Sequence, residues 1–209
     1  MNHRTKNGTM PTRRAMVRLL RHAFLVIGTL GVLAIFPVGC AARRTGPYTT
    51  GSESVRHPME ADRLNQAAVA VIDTDPARAE QLLRDALTAD LYHGPAHNNL
   101  GTVYLAQGRL YEASEEFQFA KRCLPGHPDP RLNLALTLEM AGRTDDALAT
   151  YRTALDVYPE HIPTLQALTR LQIRAGRTDA DTARNLSILA LRGETAEWRE
   201  WARHRAIGN

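Results

Sequence analysis

Residues 98–120, NNLGTVYLAQGRLYEASEEFQFA, place apolar positions at helical spacing on both sides of a Gly-Arg pair and predict two helices. One residue cuts across the pattern. Gly101 falls inside the first helix, where glycine costs about 1 kcal/mol relative to alanine. The arrangement recurs. His93-Gly94-Pro95-Ala96-His97-Asn98-Asn99-Leu100 is followed 34 residues later by His127-Pro128-Asp129-Pro130-Arg131-Leu132-Asn133-Leu134, and after another 34 by His161-Ile162-Pro163-Thr164-Leu165-Gln166-Ala167-Leu168. Gly108, Gly142 and Gly176 keep the same step, as do Ala113 and Ala147, Phe117 and Tyr151, Ala120 and Ala154, and Pro125 and Pro159.

A 34-residue period with these landmarks resembles the tetratricopeptide repeat family. The resemblance runs over residues 60–195, in units 60–93, 94–127, 128–161 and 162–195. It implies an all-α fold, a superhelical solenoid of helix-turn-helix repeats. Residues 94–161 hold the landmarks without a gap. In the first unit Ala67, Ala79, Leu83 and Ala86 fill the expected positions, but Leu91 stands in place of proline and Asp73-Thr74-Asp75-Pro76 in place of the glycine turn. The fourth unit is degenerate in its second helix. Asp181 falls at the alanine position, and Ala180 or Ala183 reaches it only with a shift.

The repeat accounts for Gly101. It and its counterparts Ala67 and Ala135 lie where the two helices of a repeat cross most closely, opposite Ala113 with Phe117 and Ala147 with Tyr151. The local cost is offset by closer packing, about 0.8 kcal/mol per buried methylene. The turn glycines are expected to end each first helix in the left-handed conformation. Beyond Gly193, residues 196–207 predict a further helix carrying Trp198, Trp201 and Ala202. It is expected to cap the stack, with a partner or membrane-surface contact through the tryptophans as the alternative.

The N-terminal region changes the picture of charge. The chain of 209 residues has a formal charge of +4 and a pI near 9.4, but residues 1–39 carry six basic side chains and no acid. The remainder holds 20 basic against 22 acidic residues, which excludes a nucleic-acid reading built on overall charge. Residues 1–39 read as a signal peptide: a cationic stretch ending at Arg21-His22, then the uncharged run Ala23–Phe36, too short for the roughly 20 residues of a membrane helix. Pro37-Val38-Gly39-Cys40-Ala41-Ala42 is similar to the lipobox of bacterial lipoproteins, in which the cysteine becomes the lipidated first residue. Pro37 departs from the usual leucine, and an uncleaved anchor is the alternative. Thr12-Arg13-Arg14 matches only a fragment of a twin-arginine signal. In the lipoprotein resemblance, Ala41 rather than aspartate implies sorting to the outer membrane, facing the periplasm. Residues 40–58 would then be a lipidated cysteine and a flexible tether. With Cys40 lipidated, Cys123 has no disulfide partner in its own chain; without lipid, a Cys40–Cys123 bridge stays open.

Candidate chemistry adds little. His93, His127 and His161 share one repeat position, but equivalent points on neighbouring repeats are expected about 10 Å apart, too far for ligands 2.0–2.1 Å from one zinc ion. They read as turn residues capping helix ends. No Gly-x-Ser-x-Gly occurs, no glycine loop cradles phosphate, and Glu139 is the one acid placed on the inner groove. The chain is expected to be no enzyme and to need no cofactor or metal.

What remains is the concave groove lined by the first helices. The resemblance assigns it Asn98, Thr102 and Leu105 in the second repeat, Leu132, Leu136, Glu139 and Met140 in the third, and Gln166, Arg170, Ile173 and Arg174 in the fourth. This mixed lining has an apolar middle and a basic end, suited to a protein or peptide segment with an apolar anchor and an acidic group. Asn99 and Asn133 match asparagines of the family's carboxylate clamp, whose lysines and arginine are missing. The expected function is a membrane-anchored scaffold or adaptor for protein–protein interaction in the bacterial cell envelope, in pilus, outer-membrane or cell-wall assembly. A structural component acting through its convex face or by self-association is the alternative.

Overall fold

Nine helices follow one another in the computed structural model, which describes residues 56–207. They are α1 (Pro58–Val71), α2 (Pro76–Ala89), α3 (Gly94–Ala106), α4 (Leu110–Cys123), α5 (Asp129–Met140), α6 (Thr144–Val157), α7 (Ile162–Arg174), α8 (Ala180–Arg192) and α9 (Ala196–Ile207). The expected signal segment, Cys40 and nearly all of the tether lie outside the described residues. Prolines occupy the first or second position of α1, α2, α3, α5 and α7, where a missing N–H costs nothing and the fixed φ favours the helix. Each helix packs on the next through a short connection, which makes neighbours antiparallel. In addition α1 touches α3, α3 touches α5 and α5 touches α7, so the first helices of successive repeats form a continuous inner layer. This is the all-α superhelical repeat architecture that the 34-residue period predicts.

The turns inside the second, third and fourth repeats share one construction. Gly108, Gly142 and Gly176 have φ of 77°, 77° and 65°. Around Gly108 its own N–H donates to the Leu105 carbonyl (3.1 Å) and the Arg109 N–H to the Tyr104 carbonyl (2.9 Å); Gly142 with Arg143 and Gly176 with Arg177 repeat the pair. This is the Schellman closure of a helix C-terminus. A side chain at these angles costs about 1–2 kcal/mol. Gly142→Ala is therefore expected to lower the thermal midpoint by several degrees. Gly126→Ala should leave it unchanged, because Gly126 has no positive φ and a methyl group there meets nothing within 4 Å. Thermal melts by circular dichroism read both.

Within each repeat the second helix presents three inward positions. Ala79, Leu83 and Ala86, then Ala113, Phe117 and Ala120, then Ala147, Tyr151 and Ala154 are all fully buried. A methyl group built on Gly101 would stand 2.7 Å from the Phe117 ring, so the glycine is where the two helices meet. Ala135 is fully buried in the third repeat, whereas Ala67 in the first is only partly buried.

The fourth repeat corrects the expected register. Its second helix forms, but one residue late. Thr182, Leu186 and Leu189 are the buried set, 35 rather than 34 positions after Ala147, Tyr151 and Ala154, while Ala180, Asp181 and Ala183 are exposed. The cause lies in the turn. Two more residues precede α8 than precede α6, and Asp179 caps the delayed helix by accepting from the Thr182 N–H (2.9 Å), with the Thr182 hydroxyl accepting from the Asp179 N–H in return (3.0 Å).

Helix α9 lies against α8 and turns both tryptophans inward. Trp198 and Trp201 are 5% and 8% exposed and meet edge to face at 5.3 Å. Their burial removes the alternative of a surface contact through the indoles. No helix among the described residues is long and apolar enough to cross a membrane.

Candidate partner-binding face

The inner layer splits the expected groove residues into three groups. The first is buried. Asn98, Leu105, Leu132, Leu136 and Gln166 are 4%, 8%, 4%, 5% and 3% exposed. The reason is seam packing: α5 has a first helix on each side and buries every residue from Leu132 to Leu138. Asn98 spends its carbonyl oxygen across that seam, accepting from Asn133 Nδ2 (3.0 Å). Asn99 likewise donates to Asn65 (2.8 Å). The asparagines that match the clamp pattern thus bind their neighbours in the stack. Gln166 faces Glu194; with its amide oxygen and nitrogen exchanged, it donates to Glu194 Oε2 (3.2 Å) and accepts from the Glu194 N–H (3.1 Å).

The second group is a charged cluster. Glu139 is nearly buried, with its side chain 7% exposed. It accepts from the Tyr151 hydroxyl (2.9 Å), Arg170 Nη2 (2.6 Å) and Arg174 Nη2 (3.0 Å). Arg170 is 11% exposed and Arg174 49%. The arginines come from α7 and the acid from α5, so the cluster ties the third repeat to the fourth. Burial pushes the Tyr151 phenol far above the ordinary tyrosine range, and the Glu139 charge beside it pushes the same way. The phenol therefore stays a donor. Two guanidinium groups share one carboxylate, which leaves a net positive charge at the half-exposed Arg174.

The third group is open: Met140 is 41% exposed, and Thr102 and Ile173 are partly exposed. Met140 ends α5 and Ile173 and Arg174 end α7, and Arg174 reaches Glu139, the residue beside Met140. Of the expected groove residues, those left open are thus Thr102 in the second repeat and this corner of the third and fourth.

The Tyr151–Glu139 contact does not follow from the repeat pattern, yet it leaves a trace in the sequence. Position 105 is Leu and its counterpart 139 is Glu; position 117 is Phe and its counterpart 151 is Tyr. An apolar pair in the second repeat becomes a polar pair in the third. Two exchanges in one repeat, each adding a polar group, signal contact between them.

Of the three repeat-related histidines only His93 caps a helix through its side chain: His161 stands at the cap of α7 without such a bond, and Pro128 rather than His127 stands at the cap of α5. His93 Nδ1 accepts from the Ala96 N–H (3.0 Å) at the start of α3, and its Nε2 faces Asp62 (2.8 Å). His161 Nδ1 faces the Thr164 hydroxyl (2.8 Å), and His127 lies 3.5 Å from Asp129. Among the described residues no three His, Cys, Asp or Glu side chains gather as metal ligands.

Comparison with known proteins agrees with this geometry. Residues 94–160 match the family model of the tetratricopeptide repeat. Over 109 residues, 52% of the chain, it is 27% identical to tetratricopeptide repeat protein 8 of Mus musculus and spans only 21% of that protein. A thermophilic tetratricopeptide repeat protein of Thermus thermophilus superposes with a TM-score of 0.60 at 18% identity, covering 72% of this chain and 84% of that one. The first such domain of Spaghetti (RPAP3), solved with the HSP90 peptide SRMEEVD, gives a TM-score of 0.55 at 12% identity, covering 58% and 97%. At these identities the structural likeness establishes the fold.

Proposed function

We propose that this chain, a tetratricopeptide-repeat protein, is an adaptor that holds a segment of another protein on its concave face, tethered to a bacterial envelope membrane through lipid on Cys40. The observation that carries the reading is the open corner of Met140, Ile173 and Arg174 beside the Glu139 cluster. Met140 and Ile173 offer a deformable apolar seat, and Arg174 brings a charge that Glu139 only partly satisfies. The matching segment has an apolar side chain next to a carboxylate. The lipobox-like Val38-Gly39-Cys40 supports the tether and Ala41 the outer membrane, with pilus, outer-membrane or cell-wall assembly as the settings. The chain acts by binding; Glu139 is held by three donors and is poorly placed to shuttle a proton. Tyr111, 76% exposed at the start of α4, favours a second reading in which a convex contact builds a larger assembly.

In-cell photocrosslinking separates the two. A photoreactive residue at Met140 is expected to give a few dominant adducts with envelope proteins, and Arg174→Glu should abolish them. A probe at Tyr111 should give none. Adducts at Tyr111 alone would overturn the concave-face reading in favour of the convex one.

A further inference from the structure

The outer ends of the helices are unequal. The His57 N–H donates to the Ala89 carbonyl (2.9 Å), which brings the start of α1 beside the end of α2. Because successive helices are antiparallel, the connections α2–α3, α4–α5, α6–α7 and α8–α9 all fall on the edge where α1 begins. The turns within repeats fall on the opposite edge, about 20 Å away along helices of 12 to 14 residues.

Large exposed apolar side chains favour the first edge. Met59 is 84% exposed, Leu91 55%, Tyr92 63%, Tyr158 52% and Leu191 80%. Four of these five stand in the connections or at the last turn of a second helix; Met59 is the second residue of α1. On the opposite edge the turns are built from Gly108-Arg109, Gly142-Arg143, Gly176-Arg177 and Asp73-Thr74-Asp75. That edge carries fewer large apolar side chains: Tyr111 (76% exposed), Met140 (41%) and Val69 (39%), each in the first or last turn of a helix.

The first edge is also where the chain arrives from Cys40. The flexible tether that the sequence predicts over residues 41–57 would span on the order of 25 Å root-mean-square, comparable with the height of the repeat stack. A surface held so close to a bilayer meets it at an effective concentration in the millimolar range, so a weak contact is populated. Tyrosine, leucine and methionine are side chains that enter a headgroup boundary, tyrosine with its hydroxyl outward. Charge on the edge is mixed: Arg192 pairs with Glu160 (2.6 Å) and Arg122 lies over the Phe119 ring (4.1 Å). Apolar insertion, rather than attraction to anionic lipid, is the matching mode.

We infer that the edge formed by Met59, Leu91, Tyr92, Tyr158 and Leu191 rests on the lipid surface to which the chain is tethered. This depends on the lipid-anchor reading. It stands the helices upright on the membrane, and the Met140–Arg174 corner then faces away from the lipid, toward partners in the aqueous compartment.

The test uses the full processed chain in a Cys123→Ser background, reconstituted into phosphatidylethanolamine–phosphatidylglycerol vesicles with brominated acyl chains. A bimane label is placed through Leu191→Cys or, on the opposite edge, Thr178→Cys. The expected result is that the protein floats with the vesicles, the label at 191 is quenched and the label at 178 is not. Raising salt should leave the quenching unchanged, and serine at Leu91 and Tyr158 should relieve it without loss of helicity. Flotation with no quenching at 191, or equal quenching at both sites, overturns the edge contact while the anchor stands. Protection of 191 that needs no vesicles and rises with protein concentration assigns the edge to a second copy and also overturns it. If the parent, with Cys40 as its one cysteine, takes up the label or fails to float, the lipid-anchor reading fails and the inference falls with it.

Discussion

Phe117→Ala is expected to destabilise the repeat stack by about 3–5 kcal/mol, the usual cost of emptying a fully buried aromatic site. The ring is fully buried between the helices of the central repeats. Its partner makes the prediction specific. Gly101→Ala places a methyl group 2.7–2.8 Å from two ring carbons. Overpacking of this kind costs about 1–3 kcal/mol, while alanine returns about 1 kcal/mol of helix propensity, so a net loss of about 1–2 kcal/mol is expected. The first repeat shows another solution, alanine at 67 with leucine at 83. Gly101→Ala with Phe117→Leu should therefore lose less than the sum of its parts by about 1 kcal/mol, a coupling that a double-mutant cycle measures. Additive losses, or a Gly101→Ala variant more stable than the parent, would show that the glycine does not set the helix approach.

Glu139→Ala should cost a similar amount, about 3–5 kcal/mol, for an electrostatic reason. Removing the carboxylate leaves Arg170, 11% exposed, without its partner, and the buried Tyr151 hydroxyl without its acceptor. The second repeat again supplies the repair. There the counterparts of Glu139 and Tyr151 are Leu105 and Phe117, and across the seam the counterpart of Arg170 is Leu136 of the third repeat, all buried. The triple variant Glu139→Leu, Tyr151→Phe, Arg170→Leu copies that apolar solution and is expected to recover most of the lost stability, since a buried ion pair exchanged for well-packed apolar groups is often neutral or better. Denaturant melts report the recovery. Crosslinking from Met140 reports function separately: the triple variant leaves Arg174 without its anchoring carboxylate, and capture of the native partner should change although the fold is intact. Unaltered capture would show that the cluster joins repeats and takes no part in recognition.

The repeat landmarks made most of the fold legible before any coordinates. A 34-residue period, small residues at 67, 101 and 135, glycines at 108, 142 and 176, and alanines flanking a large residue in the second helices of the first three repeats are each imposed by local geometry. A left-handed turn admits glycine, and a close crossing admits only a small side chain. Such constraints act within a repeat and therefore appear as residue identity. The fourth repeat escaped because its longer turn moved the buried register by one, and a fixed offset then pointed to Asp181 instead of Thr182.

The site was less legible for the same physical reason turned around. Repeat position says which face a residue occupies but not what covers it. Asn98, Leu132, Leu136 and Gln166 lie at groove positions, yet adjacent repeats and the residues beside α9 bury them. Arg170 and Arg174 read as a free basic end, but Glu139, from the preceding repeat, takes a hydrogen bond from each. By itself the sequence determined the repeat, its helices, its turns and the close crossing at Gly101, because backbone conformation and excluded volume select residue types locally. Only the tertiary structure decided which groove residues stay open and how the charges pair, because each depends on distances between side chains that the chain brings together from different repeats.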